Sequence, residues 1–153
     1  MISSGVITRE LILEILLQIE EEGEHSHIAI RNALSKYQFL PKPERSFITR
    51  VCEGTLEYRI YIDYVIDSFS KVSVNKMKPQ IREILRSAVY QLKFMDRVPD
   101  SAVCNEAVKL AQRKGFYNLK PFVNGVLRTI AREIGDLELP SREENEVRYL
   151  SVK

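Results

Sequence analysis

Val98-Pro99-Asp100-Ser101-Ala102-Val103-Cys104-Asn105-Glu106-Ala107-Val108-Lys109-Leu110-Ala111 and, further on, Phe122-Val123-Asn124-Gly125-Val126-Leu127-Arg128 decide the fold. The first segment opens on a turn, with Asp100 or Ser101 placed to cap the helix after it. Val103, Ala107, Leu110 and Ala111 then recur at helical spacing, and Gly115 closes the run. Pro121 starts a second helix, which carries Phe122, Val123, Val126, Leu127, Ile130 and Ile134 on one side and ends at Gly135. If these two helices are antiparallel neighbours, Lys114 and Lys120 cluster at their connecting end.

Outward from this pair, every long segment has the same period. Thr8 is a plausible N-cap for a helix whose stripe is Leu11, Ile12, Ile15, Leu16 and Ile19, with Gly23 as its stop. A shorter helix runs from about Ser26 to Lys36 and turns Ile30, Ala33 and Leu34 inward. Phe39-Leu40-Pro41-Lys42-Pro43 breaks it and opens the next. Ile48, Val51, Thr55, Tyr58, Ile62, Val65 and Phe69 read as one stripe on a helix of about 25 residues. Gly54 beside that stripe costs about 1 kcal/mol against alanine, which the close approach of another helix would offset. Ser70 to Lys78 is polar and ends the element, and Pro79 opens a helix with Ile81, Ile84, Leu85, Ala88, Val89 and Leu92 on one face. No segment alternates with period two, and no solenoid repeat is present. The expectation is an all-α chain of six helices, or seven if the long one is split.

A chain of 153 residues, 44% hydrophobic and 29% charged, suits one globular domain with a real core. No run approaches the ~18 apolar residues that span a membrane. The N-terminus lacks the basic, apolar and small-residue succession of a secretion signal, so cytoplasmic residence is expected.

Catalytic chemistry is hard to find. His25 and His27 lie in a short polar connection without a nearby cysteine pair, so no metal is expected. Cys52 and Cys104 fall within helices and read as small buried hydrophobes. Gly5, Gly23, Gly54, Gly115, Gly125 and Gly135 are too scattered for a phosphate loop or dinucleotide fingerprint. No enzymatic activity and no cofactor are expected of this chain alone.

Charge is more informative in its distribution than in its sum of +2. Residues 101–135 hold six basic and two acidic groups, whereas residues 1–40 hold three and six. Lys109, Arg113 and Lys114 follow along one helix, Lys120 lies in the connection, and Arg128 and Arg132 share a face of the last helix. Such a set can hold phosphates, or it can be a solvated surface with cations favourably placed at a helix end; spacing leaves both open. Asn105 and Asn124 are weak helix formers. Asn105 reads as an inter-helix peg to backbone groups, and Asn124 is open between that role and a contact with RNA or protein. Tyr37, Tyr58, Tyr61, Tyr64, Tyr90 and Tyr117 could stack on bases, but aromatics at this spacing are more often core.

From about Thr8 to Gly135 the chain resembles the NusB-like RNA-binding domains, and most closely the N-terminal domain of the Sun/RsmB family of ribosomal RNA cytosine-C5 methyltransferases. The resemblance rests on Arg9 to Leu16, Arg45 through Gly54-Thr55-Leu56, Leu85 to Leu92, and the pair quoted above. Arg128 after Val126-Leu127 is similar to the methyltransferase pattern, where antitermination factors usually carry an acidic residue. The N-terminus also lacks the arginine-rich stretch of those factors, with Arg9 alone present. One departure is Glu57-Tyr58, which stands where the family tends to place a basic residue.

The resemblance implies two three-helix halves packed crosswise over residues 1–135. It implies that 136–153 is a tail or linker toward a catalytic domain that binds S-adenosylmethionine and that this chain does not contain. Neither Cys52 nor Cys104 matches that domain's cysteine motifs. The expected function is a non-catalytic domain that helps a 16S rRNA methyltransferase engage its substrate. RNA contacts are expected at Lys109, Arg113, Lys114, Lys120, Asn124, Arg128 and Arg132, with Arg45 and Arg50 as weaker candidates. The alternative is an antitermination factor that pairs with a ribosomal protein on RNA. A third expectation is docking to the protein's own C-terminal catalytic domain.

Overall fold

The structure is a computed structural model and describes residues 4–23 and 26–135. Among these residues it contains seven α-helices, α1 (Ser4–Glu22), α2 (Ser26–Ser35), α3 (Lys42–Glu57), α4 (Arg59–Phe69), α5 (Pro79–Phe94), α6 (Asp100–Arg113) and α7 (Lys120–Glu133), and no strand. The chain is all-α, as its periodicity requires. The tail 136–153 and His25 lie outside the described residues; His27 is in α2, not in a connection.

α1, α2 and α3 pack on one another, and α4 to α7 form the larger half. α5 touches α1, α3, α4, α6 and α7, so it is the axis of the molecule. The sequence suggests a single apolar face for α5, yet Ile81 and every residue from Glu83 to Leu92 are buried. A helix surrounded on all sides must bury its polar groups too, and these are paired. Arg86 donates from Nε and Nη2 to the two carboxylate oxygens of Asp63 on α4, both at 2.8 Å. Its Nη1 donates to Glu83 Oε2 at 2.6 Å. Gln91 Nε2 donates to the Ser87 carbonyl, and its Oε1 accepts from Arg9 of α1.

The long central helix is two helices. The chain turns at Tyr58 (φ −102°, ψ 21°), where neither glycine nor proline marks the break. Tertiary packing supplies the reason. The Tyr58 ring stacks on Phe94 with centroids 4.5 Å apart, and Phe94 in turn stacks on Tyr90 at 5.1 Å. Beyond the turn the buried set becomes Tyr61, Ile62, Val65 and Ile66. Apolar spacing runs through the break unchanged because both helices bury a face, which is why the sequence reads as continuous.

Other boundaries follow the chemistry of their residues. Gly23 and Gly115 adopt φ of +66° and +90°, the left-handed conformation that ends a helix at least cost in glycine. Pro79 opens α5, while Pro43 and Pro121 sit in the first turns of α3 and α7. Two caps differ from expectation. α1 begins at Ser4, so Thr8 is an interior, buried residue. Pro99 precedes α6 without a side-chain cap, and Asp100 contributes instead as an anion in the first turn. The polar segment after α4 is also anchored: Asp67 accepts a hydrogen bond from the Val74 N–H at 2.9 Å, and Val74 and Met77 enter the core.

Gly54 is required by the ring of Tyr90, which lies where a side chain would be. A β-carbon at position 54 would sit 2.1 Å from two ring carbons. Gly54→Ala is therefore expected to lower unfolding free energy by about 1–3 kcal/mol, the usual range for overpacking. Urea denaturation checks this, and a smaller residue at position 90 should recover part of the loss.

Burial pushes the Glu83 carboxyl up to about 7, against the pull of Arg86. The folded state then holds a proton that the unfolded chain releases near 4.5, so Glu83 makes stability fall as pH rises from about 4.5 to 7. Urea midpoints at pH 5 and pH 8 should differ less in Glu83→Gln than in the unmodified chain.

Candidate functional site

α6 and α7 form an antiparallel hairpin joined by Gly115 and a 3-10 turn at Tyr117–Leu119. Their inward faces, Val103, Cys104, Ala107, Leu110 and Ala111 against Val123, Val126, Leu127 and Ile130, are buried in the core. Burial of those stripes fixes the outward direction of the polar residues between them. Asn105 and Lys109 are a turn apart on α6, and Asn124, Arg128 and Arg132 are each a turn apart on α7. The α7 row spans about 12 Å at the helical rise of ~1.5 Å per residue.

Arg128 organises this edge. Its Nε donates to Asn124 Oδ1 at 3.1 Å and its Nη2 to Asn105 Oδ1 at 2.7 Å. Asn105 does join two helices, but through the Arg128 side chain rather than to backbone. Arg132 is exposed, with Nη2 3.4 Å from Thr129 Oγ1. Lys109 is more than half exposed, and its Nζ lies 3.7 Å from Glu106. At the hairpin tip Lys120 Nζ sits 4.6 Å from the ring centroid of Tyr117, a tyrosine that is 64% exposed. Among the tyrosines named from the sequence, Tyr61 and Tyr90 are core, whereas Tyr117 is on the surface.

The other expected cations are placed differently. Arg113 Nε lies 2.9 Å, and Lys114 Nζ 3.0 Å, from Glu10 Oε2 of α1, with Lys114 also 3.6 Å from Glu14. They are tied to the first half of the molecule. The hydrogen bond from Arg113 holds the Glu10 carboxyl below its ordinary range, against the opposing effect of burial. Arg50 donates to the Phe94 carbonyl at 2.9 Å. Arg45 lines an open groove of about 550 Å³ with Lys42, Thr49, Arg50 and Glu53, and its Nε is buried without a hydrogen-bond partner. Both arginines are on α3, away from the α6–α7 pair. The nine expected residues therefore divide into a hairpin edge (Lys109, Lys120, Asn124, Arg128, Arg132), a pair bridged to α1 (Arg113, Lys114) and a groove on α3 (Arg45, Arg50).

Arg9 is bound into the interior face of α1. Its Nε and Nη2 both donate to Gln91 Oε1, at 3.1 and 2.8 Å, and its guanidinium lies over the Phe47 ring at 5.3 Å. Burial lowers its affinity for the proton, opposed by the charge of Glu106. Cys52 and Cys104 are fully buried thiols whose pKa burial raises, which makes them poor nucleophiles. Among the described residues no group of His, Cys, Asp and Glu could hold a metal, and no helix is long and apolar enough to cross a membrane. The contacts of Asn105 and Arg9 were not legible in sequence, because each depends on which helix lies opposite.

Among the described residues the molecule is a seven-helix bundle with a cationic edge braced by asparagines and with both thiols shut in the core. The chain belongs to the NusB family, whose profile matches residues 6–132. It is 33% identical over 125 residues to a probable ribosomal RNA small subunit methyltransferase B of Bacillus subtilis, covering 82% of this chain and 28% of that protein. The chain thus spans little more than a quarter of that relative. It is 30% identical over 132 residues to the transcription antitermination protein NusB of Desulfitobacterium hafniense, covering 84% of this chain and 88% of that one. Among solved structures, NusB of T. maritima superposes with a TM-score of 0.75 at 28% identity, over 95% of this chain and 99% of that chain. NusB in a complex of the antitermination factors NusB and NusE with double-stranded RNA shares the fold at TM-score 0.74 and 20% identity, over 82% of this chain and 93% of that chain.

Glu10→Gln removes the shared acceptor of Arg113 and Lys114. Because the folded carboxyl titrates below its ordinary value, its contribution is present above about pH 4.5 and is lost as pH falls through the folded pKa. The stability difference between Glu10→Gln and the unmodified chain should therefore be largest near neutrality and close on acidification, as followed by urea unfolding between pH 7 and pH 3.

Proposed function

We propose that this chain is the RNA-binding domain of a ribosomal RNA cytosine-C5 methyltransferase and that the α6–α7 edge meets the RNA backbone. One observation carries the reading: Arg128 is held at the centre of a row of exposed polar and cationic groups by two asparagine oxygens rather than by a carboxylate. A guanidinium paired with a carboxylate is largely neutralised, whereas one held by neutral amides keeps its charge for a polyanion. Lys109, Asn124 and Arg132 extend the row, and Lys120 with Tyr117 ends it. Arg113, Lys114, Arg45 and Arg50 are secondary contacts, since Arg113 and Lys114 are bound to Glu10 of α1 at 2.9 and 3.0 Å, whereas Lys109 is more exposed and stands 3.7 Å from Glu106.

Two further observations favour the methyltransferase over an antitermination factor. The basic residue at 128 follows the methyltransferase pattern. Arg9, the one arginine at the N-terminus where such factors carry several, is committed to Gln91 and Phe47. The antitermination reading is favoured by the solved folds and by the extent of the D. hafniense match. In that reading a ribosomal protein is a second partner. In the methyltransferase reading the partner is the catalytic domain of the same protein, and the work is done in the cytoplasm. S-adenosylmethionine belongs to that domain. This chain supplies no strand and glycine turn for it among the described residues, and its thiols are inaccessible.

Filter binding of a 16S rRNA fragment at two salt concentrations tests the site. Charge reversal at Lys109 and Arg128 together should weaken binding tenfold or more and lower the salt slope by about one unit for each phosphate no longer neutralised. Unchanged affinity and slope would remove the α6–α7 edge from RNA recognition.

A further inference from the structure

The Asn105–Arg128–Asn124 contact has a geometry that bulk positive charge does not need. Arg128 is held along one edge of its guanidinium, Nε by Asn124 one turn back on its own helix and Nη2 by Asn105 on the neighbouring one, which leaves the Nη1–Nη2 end directed away from both asparagines. A guanidinium only donates, so each carboxamide must present its oxygen to Arg128 and turn its NH2 group elsewhere. The asparagine oxygens are thereby engaged, and what remains at the surface is a set of donors: two amide groups and the unengaged N–H groups of Arg128. Both asparagines are exposed, so these donors face solvent. The nearest acidic neighbour in sequence, Glu106, reaches toward α1 and also stands 3.7 Å from Lys109. Its carboxyl carbon lies 3.3 Å from where a β-carbon of Gly5 would be, and its charge acts on Arg9. A donor set with its acceptors engaged and its arginine fixed matches the two non-bridging oxygens of a phosphodiester.

We propose that Asn105 and Asn124 are positioning residues that lock Arg128 as a fork for one RNA backbone phosphate. This rests on the RNA-binding reading above and adds Asn105, on the other helix, to the residues that serve it. The fork also fixes a register. The phosphate it grips sets which neighbouring phosphates reach Lys109 and Arg132 on either side.

The test is a double-mutant cycle on the 153-residue chain, read by fluorescence anisotropy with a labelled 16S rRNA fragment and with thermal melts to confirm folding. Asn105→Ala and Asn124→Ala should each weaken binding about three- to tenfold with Arg128 present and less than about twofold in the Arg128→Ala background, since neither asparagine then has a guanidinium to hold. Asn105→Asp keeps an oxygen for Arg128 but replaces the amide donors with negative charge, so it should bind more weakly than Asn105→Ala. Weakened binding in Arg128→Ala alone, with both asparagine variants at the unmodified level, overturns the fork and leaves the RNA reading standing. Equal weakening in the two backgrounds, or Asn105→Asp binding as well as the unmodified chain, also overturns it. Unmodified affinity in all four variants removes the fork and the α6–α7 edge together.

Discussion

Enclosure of α5 by five other helices, and the way its polar groups are satisfied there, is the constraint on which the molecule rests. An unpaired buried charge costs several kcal/mol, so enclosing Arg86 is possible only because Asp63 and Glu83 meet it with three hydrogen bonds. Those bonds are directional. They fix α4 against α5 in rotation and in register, which apolar contact between Val65, Ile66 and their neighbours does less strictly. Gln91 does the same for α1 through Arg9. A central helix with apolar residues all round would be enclosed as readily, but with less to select one arrangement of its neighbours.

The aromatic layer at the far end of α5 is the counterpart of that polar set. Tyr90 lies against the bare backbone of Gly54. Phe94 continues the stack to Tyr58, at the turn between α3 and α4. Close approach at a glycine and ring stacking at a helix break act together: the first brings α3 onto α5, and the second turns the chain into α4. Once α4 and α5 are set, α7 packs on both and α6 closes over α5. The surface of the α6–α7 hairpin is then presented outward with no freedom to rotate, which lets asparagines on two helices share one arginine.

The cations of this edge are held differently from those elsewhere in the molecule. Arg9, Arg82 and Arg86 are spent within the molecule, on Gln91, on Glu20, and on Asp63 and Glu83. Arg113 and Lys114 join α6 to α1 through Glu10. Arg128 and Arg132 are met instead by the neutral groups of Asn124, Asn105 and Thr129. In a chain with nearly balanced charge, cations held by neutral groups keep more of their field at the surface than cations bound to carboxylates.

The helices were legible from the chain alone, because the period of apolar residues is a local property. So were the ends at Gly23, Gly115 and Pro79, where backbone chemistry admits few alternatives. The crowding of basic residues into the last helix pair and the close approach at Gly54 could be read there too. The break at Tyr58 could not, since the residues around it are compatible with a continuous helix and the ring of Phe94 lies 36 positions away in the chain. Packing in three dimensions also settled the enclosure of α5, because Glu83, Arg86, Ser87 and Gln91 are polar in sequence and buried in fact. The division of the cations belongs with these. Whether a lysine or arginine is neutralised depends on the side chain across from it, and Glu10, Gln91 and Asn105 come to their arginines from other helices.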